Sequence, residues 1–210
     1  MSSGTEAGRA QPPQDVVLVG EHVRIEPLGV QHARDLSEEL GTDDDVWRWL
    51  VDPPGDEAGM TRFVQGTLAE RERGDRFPFV VVERSSGRAV GSSSYLDITP
   101  EHRRIEIGWT FYARRVWRSP VNTESKLLLL GHAFDDLGYE RVALKTHHRN
   151  ERSQAAIARL GATREGVLRH HMLDRYGQWR DSVYYSILSA EWPQVRAGLA
   201  DRLSAGAPPA

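Results

Sequence analysis

The chain has 210 residues and a formal net charge of -3, from 27 Lys and Arg against 30 Asp and Glu. This balance argues against a nucleic-acid-binding protein that works through bulk charge, because phosphate contacts need a concentrated surplus of basic side chains. The chain contains no cysteine, which excludes disulfide scaffolds, cysteine–zinc sites, iron–sulfur centres and a thiolate nucleophile.

The sequence predicts neither a membrane-spanning helix nor a signal peptide. The apolar runs are far shorter than the roughly 20 residues of a membrane-spanning helix, and residues 1–15 lack the apolar segment of a signal peptide. We therefore expect a cytoplasmic protein with no membrane or nucleic-acid partner. Residues 1–15 and 204–210 are small, polar and contain Pro and Gly, which predicts disordered tails. Residues 16–203 show no repeat or linker, which predicts a single domain.

In chain order, the first predicted strand covers residues 23–27, where apolar and polar residues alternate. Helices are predicted at 30–40 and 57–73 from apolar residues at helical spacing, with a brief helical turn after Asp43 between them. The next segments are rich in β-forming residues and are separated by turns, which predicts an antiparallel meander. These three strands cover residues 77–83, 89–97 and 104–111.

The second half of the chain alternates helices with strands. Leu127, Leu130, Phe134 and Leu137 form an apolar stripe that predicts a long helix over 123–137. The remaining predicted elements are a strand at 141–146, a helix at 151–160, strands at 163–173 and 179–188, and a last helix ending near 203. Helices that bracket single strands only in this half indicate an α/β (α+β) fold around a mixed sheet.

The turn between the third meander strand and the long helix is the first candidate site. Free backbone N–H groups and the helix dipole converge there, and such a spot attracts an anion. Asn122 is the predicted N-cap, and Arg115 and Arg118 add positive charge. An ordinary capped helix start is the alternative interpretation. The same two interpretations apply to the next strand-to-helix turn, which runs from Asn150 to Ser153.

Taken together, these segments resemble the GNAT N-acetyltransferase superfamily, in particular its RimJ/RimL-like branch. The resemblance covers nearly all of residues 16–203. Its most specific parts are Glu106-Ile107-Gly108-Trp109, the run from Ser119 to Leu130, Asn150-Glu151-Arg152-Ser153, Leu160-Gly161-Ala162 with Glu165-Gly166-Val167-Leu168-Arg169, and the run from Trp179-Arg180-Asp181 to Tyr185-Ser186. The resemblance implies a mixed, mostly antiparallel sheet with helices on both faces.

The resemblance also implies acetyl-CoA as the donor, bound without a metal. Pantetheine would lie where the strand over 104–111 splays from that over 141–146, with the pyrophosphate on the N-terminus of the long helix. The implied donor-binding residues are Trp109, Phe111, Arg115, Arg118, Ser119, Val121, Asn122, Thr123, Asn150, Arg152 and Ser153. Arg118 and Pro120 stand where the family's loop has small residues, and Pro120 has no N–H to donate.

The acetyl group would pass directly to a primary amine in a ternary complex, because the chain has no cysteine to carry it. The amine must lose a proton, and the resemblance makes Glu106 the base. Alternation places Glu106 on the face opposite Ile105, Ile107 and Trp109; the alternative is a surface carboxylate paired with Arg103 or Arg104. Ser153 is expected to protonate the leaving thiolate, because Ile157 stands where many relatives have a tyrosine.

The remaining candidates concern the acceptor, which would be a protein N-terminus or a small amine. Trp47 and Trp49 are expected to wall its pocket, although tryptophans at this spacing more often pack in a core. His171 is an alternative base, and the adjacent histidine pairs should point to opposite faces and bind no metal. A homodimer is left open. The rival hypothesis is a non-catalytic acyl-CoA-binding or partner-binding protein, suggested by Arg118, Pro120 and Ile157.

Overall fold

The computed structural model describes residues 8–206 and contains a single mixed sheet of eight strands. In chain order the strands are β1 Leu18–Val19, β2 Val23–Pro27, β3 Arg76–Glu83, β4 Ala89–Thr99, β5 Arg104–Tyr112, β6 Arg141–His147, β7 Thr163–Leu173 and β8 Trp179–Leu188. Their order across the sheet is β1-β2-β3-β4-β5-β6-β8-β7. Every neighbouring pair is antiparallel except β5 and β6, which are parallel.

Six α-helices connect these strands within the described residues. They are α1 Ala33–Leu40, α2 Asp44–Trp47, α3 Glu57–Glu72, α4 Pro120–Gly131, α5 Glu151–Arg159 and α6 Trp192–Ser204. A π-helical turn over His132–Asp136 extends α4, and Gly138 ends the segment with a left-handed φ of 73°. No helix in the described part of the chain is long and apolar enough to cross a membrane.

The helices cover both faces of the sheet, as predicted. Two consecutive residues of β5 show the two sides. Lys126 of α4 donates to Thr110 Oγ1, whereas the Phe111 ring packs at 6.0 Å from the Phe63 ring of α3. Since neighbours along a strand point to opposite faces, α4 and α3 lie on opposite sides. The core between them consists of apolar side chains from β2 to β6 and from the inner faces of these helices.

The sheet is split between β5 and β6. Their parallel ladder contains only three pairs, which join Arg104 to Arg141, Ile105 to Val142 and Glu106 to Ala143. Both strands continue beyond the last pair, β5 to Tyr112 and β6 to His147. The outer edge of β5 beyond Glu106 therefore has no strand partner within residues 8–206, and a gap opens there.

The N-terminal segment differs from the predicted disordered tail. Ala10 is buried, its N–H donates to Pro100 O at 3.2 Å, and the Gln11 N–H donates to Leu137 O at 2.9 Å. Asp15 forms an ion pair with Arg71 at 2.6 Å. These contacts hold the segment against the turn after β4, the residues that follow α4 and the last turn of α3, which composition alone does not show. Residues 1–7 and 207–210 lie outside the described residues, and Ser204 belongs to α6.

Candidate active site

The N-terminus of α4 opens into a surface cavity of about 390 Å³. Residues from three segments line it: Glu21 and His22, Glu83 to Ser85, and Ser119 to Val121. The helix begins one residue after Ser119, whose Oγ accepts from the Val121 N–H at 3.3 Å. Ser119 is thus the N-cap and the prediction for Asn122 is wrong, because Pro120 fits the first helical position without needing an N–H. Asn122 and Thr123 follow within the first turn.

The loop before α4 adopts the backbone that small residues would favour. Arg118 has a left-handed φ of 62°, which costs a non-glycine residue about 1 kcal/mol. The side chain of Arg118 is exposed. Arg115 instead donates to Glu39 and Glu83, each at 2.7 Å, so its charge is already compensated at the cavity wall. The arginine and proline that depart from the family pattern are therefore accommodated by the loop.

Glu124, which the sequence analysis missed, ties α4 to the β1–β2 hairpin. Its buried carboxylate accepts the backbone N–H groups of Glu21, His22 and Val23, each at 2.7 Å. A Cβ on Gly20 would lie 2.3 Å from the Glu124 carboxyl carbon, so only glycine allows this approach. These three hydrogen bonds, which we call the Glu124 clamp, fix one wall of the cavity.

Glu106 lies at the point where β5 and β6 separate. Its side chain is buried, and Oε2 accepts from Lys145 Nζ at 3.0 Å across the gap. The other oxygen, Oε1, is buried without a hydrogen-bond partner among the described residues. Burial raises the pKa of Glu106, although Lys145 opposes this effect. The surface pairing considered as the alternative is wrong, because Arg104 pairs with Asp97 and Arg103 with Glu140.

A bulge in β5 follows Glu106. Ser94 pairs with Gly108 and Ser92 with Phe111, so Ser93 faces two residues of β5. Trp109 has a left-handed φ of 48°, and its ring lies 4.6 Å from the Arg76 guanidinium carbon.

Arg76 is aligned through Leu96 with Glu106, so the Trp109 ring lies on the Glu106 side of the sheet. The prediction of Trp109 on the opposite face is wrong, because the bulge interrupts the alternation.

Lys126 is buried between α4 and the sheet beside this bulge. Its Nζ donates to Thr110 Oγ1 at 2.7 Å and to Ser93 Oγ at 3.1 Å. No carboxylate of a described residue lies within 4.0 Å of it. Burial lowers the pKa of Lys126 to about 7. The sequence carries a signal for this residue and for Lys145, since the two are the only lysines among 27 basic residues.

The turn before α5 confirms the capping interpretation. Asn150 Oδ1 accepts from the Ser153 N–H at 3.1 Å, and the half-buried Ser153 lies in the first helical turn. The Arg152 guanidinium carbon lies 3.6 Å from the Trp117 ring centroid, which brings this turn next to the loop before α4. Ile157 is buried in the core and offers no proton.

The two tryptophans predicted to wall an acceptor pocket differ in position. Trp47 is wholly buried, its ring 4.7 Å from that of Phe111, and its Nε1–H donates to Leu40 O at 2.8 Å. It is a core residue, so the prediction for Trp47 is wrong. Trp49 is half-buried, and its ring centroid lies 4.5 Å from that of His147.

Polar side chains on β5 to β8 share one side of the split sheet. The strand register places them there, because Lys145 pairs with Tyr184 and His147 with Ser182. Residues two apart on a strand share a face. His171 of β7 joins them through its Nδ1, 3.0 Å from Ser182 Oγ. We call this set the polar face: Glu106, Lys145, His147, His171, Arg180, Ser182 and Tyr184.

The histidines of the polar face are weak bases. Burial, with Arg180 and His148 nearby, lowers the pKa of His147 to about 4. Burial, together with Lys145 and Arg180, also lowers the pKa of His171. The rings of His147 and His148 stack at 4.6 Å, so the expected opposite orientation is wrong for this pair, because β6 ends at His147. The described residues contain no group of three or more potential metal ligands of the His, Asp, Glu or Cys type.

A mixed sheet that splits beside a helix N-terminus, with a buried carboxylate at the split, is the acetyltransferase-like fold that the sequence predicts. Comparison with known proteins agrees. A family model described as an acetyltransferase (GNAT) domain matches residues 22–163. This match covers more than half of the chain, which therefore belongs to the GNAT acetyltransferase family.

Two relatives come from Bacillus subtilis (strain 168). YoaA, an uncharacterized N-acetyltransferase, is 28% identical over 121 residues, which are 58% of this chain and 66% of YoaA. YdaF, named as a candidate ribosomal N-acetyltransferase, is 32% identical over 106 residues, which are 50% of this chain and 57% of YdaF. The matched segments thus span less than two thirds of either relative.

Solved structures cover more of the chain. A GCN5-related N-acetyltransferase from Brucella melitensis has a TM-score of 0.88 at 29% identity, over 95% of this chain and 90% of that one. A candidate acetyltransferase from T. thermophilus has a TM-score of 0.82 at 38% identity, over 92% of this chain and 100% of that one.

Proposed function

We propose that this chain transfers an acetyl group from acetyl-CoA to a primary amine, by direct attack in a ternary complex. The observation that carries the proposal is the buried Glu106 with one unpartnered oxygen, at the point where β5 and β6 separate. Family membership supports the reaction class. A second family feature, the N-terminus of α4 at a surface cavity, supports the donor.

The residues around the cavity at the start of α4 fit a diphosphate. The first-turn amides of α4 have no intrahelical partner, and the positive end of the helix dipole faces the same cavity. Pro120 has no N–H and that of Val121 is taken by Ser119, which leaves Asn122 as the first-turn donor. Arg118 adds a charge from the exposed loop. The unpaired edge of β5 would hold pantetheine, which carries amides that can bond to it.

Glu106 would act as the base. An amine attacks only when it is neutral, so Glu106 Oε1 takes a proton from the acceptor, directly or through water, before the nitrogen bonds to the thioester carbonyl carbon. The raised pKa makes Glu106 a stronger base than an ordinary carboxylate. Backbone N–H groups at the bulge near Trp109 and Phe111 would polarise the carbonyl oxygen.

Ser153 would complete the transfer. The carbon–sulfur bond breaks as the tetrahedral intermediate collapses. Ser153 Oγ gives its proton to the leaving thiolate and is reprotonated, through water, by the proton that the attacking nitrogen loses. Its position in the first turn of α5, beside the loop that precedes α4, supports this role. Ser153→Ala should lower kcat, measured by stopped-flow, with little change in the dissociation constant of CoA, measured by calorimetry. An unchanged kcat would show that Ser153 does not protonate the thiolate.

The acceptor is a protein N-terminus or a small amine. The name of YdaF supports a protein acceptor, and a ribosomal acceptor would place the reaction in the cytoplasm. The rival, a non-catalytic acyl-CoA-binding or partner-binding protein, predicts CoA binding without thiol release and no effect of Glu106→Gln. A homodimer stays a prediction: Leu168 and Leu173 are exposed on the edge strand β7, and light scattering at two concentrations would reveal pairing.

The experiment for the base compares three proteins in a thiol-release assay over an amine panel. Glu106→Gln should lower kcat by about 10²-fold or more, with CoA binding retained. The acid limb of the pH profile of kcat/KM should lie at a higher pH than an ordinary carboxylate would give, because the pKa of Glu106 is raised. Lys145→Met should move this limb to still higher pH, because Lys145 lowers that pKa. A limb that stays in place in Lys145→Met contradicts the assignment of Glu106.

A further inference from the structure

Arg180 is a cation of the polar face with no acidic partner. Its side chain is partly buried, yet no carboxylate of a described residue lies within 4.0 Å of it, and its Nε is buried without a hydrogen-bond partner. Among the described residues its side chain forms one hydrogen bond, from Nη2 to Ser182 Oγ at a long 3.4 Å. A guanidinium has five N–H donors in a planar fork, so most of its hydrogen-bonding capacity is unused.

The neighbouring carboxylates are occupied elsewhere. Glu106 pairs with Lys145. Asp174, at the turn between β7 and β8, accepts the backbone N–H groups of Tyr176 and Gln178, each at 2.9 Å. The polar face therefore carries two cations, Lys145 and Arg180, against one carboxylate. Its histidines are neutral at pH 7, since the pKa of His147 is about 4 and that of His171 is lowered.

A guanidinium removed from water without a partner is unfavourable. Burial, the largest effect, lowers the pKa of Arg180, although the nearby Asp174, Tyr184 and Glu106 oppose this effect. Other arginines on this side of the molecule are compensated: Arg175 pairs with Asp44 at 2.8 Å, and Arg114 with Asp43 at 2.7 Å. Arg180 thus differs from them in lacking a carboxylate partner among the described residues, although it lies on the polar face with Glu106.

We propose that Arg180 binds a carboxylate of the acceptor, so that the substrate is an aminocarboxylate, such as a free amino acid. The inference rests on the proposed acetyl transfer. The planar fork of Arg180 matches a carboxylate in bidentate geometry. Ser182 Oγ, which contacts both Arg180 and His171, would help to orient the fork.

Arg180 and Glu106 lie on the same side of the sheet. Glu106 is aligned through Ala143 with Ser186 of β8, and Arg180 lies an even number of residues from Ser186 along that strand. One acceptor can therefore meet both groups. An amino acid carries the required amine and carboxylate, whereas a peptide with a blocked C-terminus supplies a carboxylate only through an acidic side chain.

The test compares matched acceptors that differ only in the carboxylate: phenylalanine against phenethylamine, β-alanine against ethylamine, and the peptide amides Ala-Asp-Ala and Ala-Asn-Ala. Wild-type kcat/KM should favour the carboxylate in the first two pairs by about 10- to 100-fold, the range of a hydrogen-bonded charge pair. Arg180→Met should reduce this ratio to near one, and Arg180→Lys should keep part of it. Arg169→Met, which changes an exposed arginine on β7, is the matched control and should keep the wild-type ratio.

The outcomes distinguish failure of this inference from failure of the proposed acetyl transfer. A wild-type ratio near one, or a ratio that persists in Arg180→Met, overturns the inference while acetyl transfer stands. A peptide amide preferred over the amino acids also overturns it and identifies a protein acceptor. If no amine is acetylated and no thiol is released, the proposed function itself fails and this inference falls with it. The wild-type ratio needs no variant, so a poorly folding Arg180→Met does not prevent the test.

Discussion

At the scale of single residues, Lys126 is buried with two hydroxyl partners and no carboxylate of the described chain in reach. Burial disfavours its charged form, so its pKa is lowered from 10.5 to about 7. In the unfolded chain the same amine titrates near its ordinary value. Between these two pH values the unfolded state binds more protons, and the free energy of unfolding must therefore rise with pH.

This linkage predicts a pH-dependent stability that one substitution removes. From pH 7 to pH 9 the free energy of unfolding should gain about 2 kcal/mol from Lys126 alone. In Lys126→Met this gain should disappear, because no amine remains to be discharged on folding. Urea unfolding at both pH values measures the difference, and the variant shares all other titrating groups with the wild type. Equal pH slopes in the two proteins would show that Lys126 keeps its ordinary pKa.

At the scale of secondary structure elements, Glu124 joins a helix to a hairpin about a hundred residues earlier in the chain. Three backbone N–H groups of the β1–β2 hairpin converge on one carboxylate of α4. Hydrogen bonds to a charged group are stronger than neutral ones, and a buried N–H left without an acceptor is costly. The hairpin residues Glu21 and His22 also line the cavity at the start of α4, so the clamp shapes that cavity.

We expect Glu124→Gln to lower the free energy of unfolding by about 2 to 4 kcal/mol, because a glutamine offers one oxygen and turns an NH₂ group toward the hairpin amides. Hydrogen exchange should accelerate at the amides of residues 21–23, and CoA binding should weaken. Glu151→Gln, at an exposed position in the first turn of α5, is the control. It should leave the free energy of unfolding, the exchange at residues 21–23 and CoA binding as in the wild type. Unchanged exchange in Glu124→Gln would exclude the clamp.

At the scale of the whole molecule, the sheet is two ladders joined by a narrow contact. Strands β1 to β5 form one ladder and β6 to β8 the other. In the described part of the chain, three residue pairs and the Glu106–Lys145 ion pair connect β5 to β6. Helix α4 contributes a second connection, since it packs against α6. A ligand that contacts both sides of the gap should therefore stabilise the whole molecule.

Binding to the folded state alone predicts the size of this stabilisation. CoA at 100 times its dissociation constant should raise the free energy of unfolding by about 2.7 kcal/mol, observed as a higher Tm. Pantetheine at the same concentration, which lacks the diphosphate, should raise Tm much less, because the amides at the start of α4 would have no anion to bind. Equal shifts for the two ligands would place the affinity away from that helix terminus.

Much of this architecture followed from local sequence patterns. Alternation and helical spacing predicted most of the strands and helices, and the resemblance to the family predicted the mixed sheet. The expected turn residues Asn150 and Gly138 also fill their predicted roles. These features depend on neighbours within a few residues, which the sequence displays directly.

Other features depended on contacts between distant segments. Composition predicted a loose segment before residue 16, but Ala10 and Gln11 bond to residues 100 and 137. Lys126 lies three and four residues before the buried Leu129 and Leu130, on the same side of α4. This spacing is a signal of burial that the sequence analysis did not use, and only the sheet supplied the hydroxyl partners of Lys126.

The sequence by itself determined the elements, the reaction class that the family implies, and the position of Glu106 opposite Ile105 and Ile107. The tertiary structure alone decided that Glu106 is buried against Lys145, that a bulge turns Trp109 to the other side, and that Arg180 is left without a carboxylate. The physical reason is that burial and charge compensation depend on which strands lie side by side, and strand neighbours are set by packing rather than by adjacent residues.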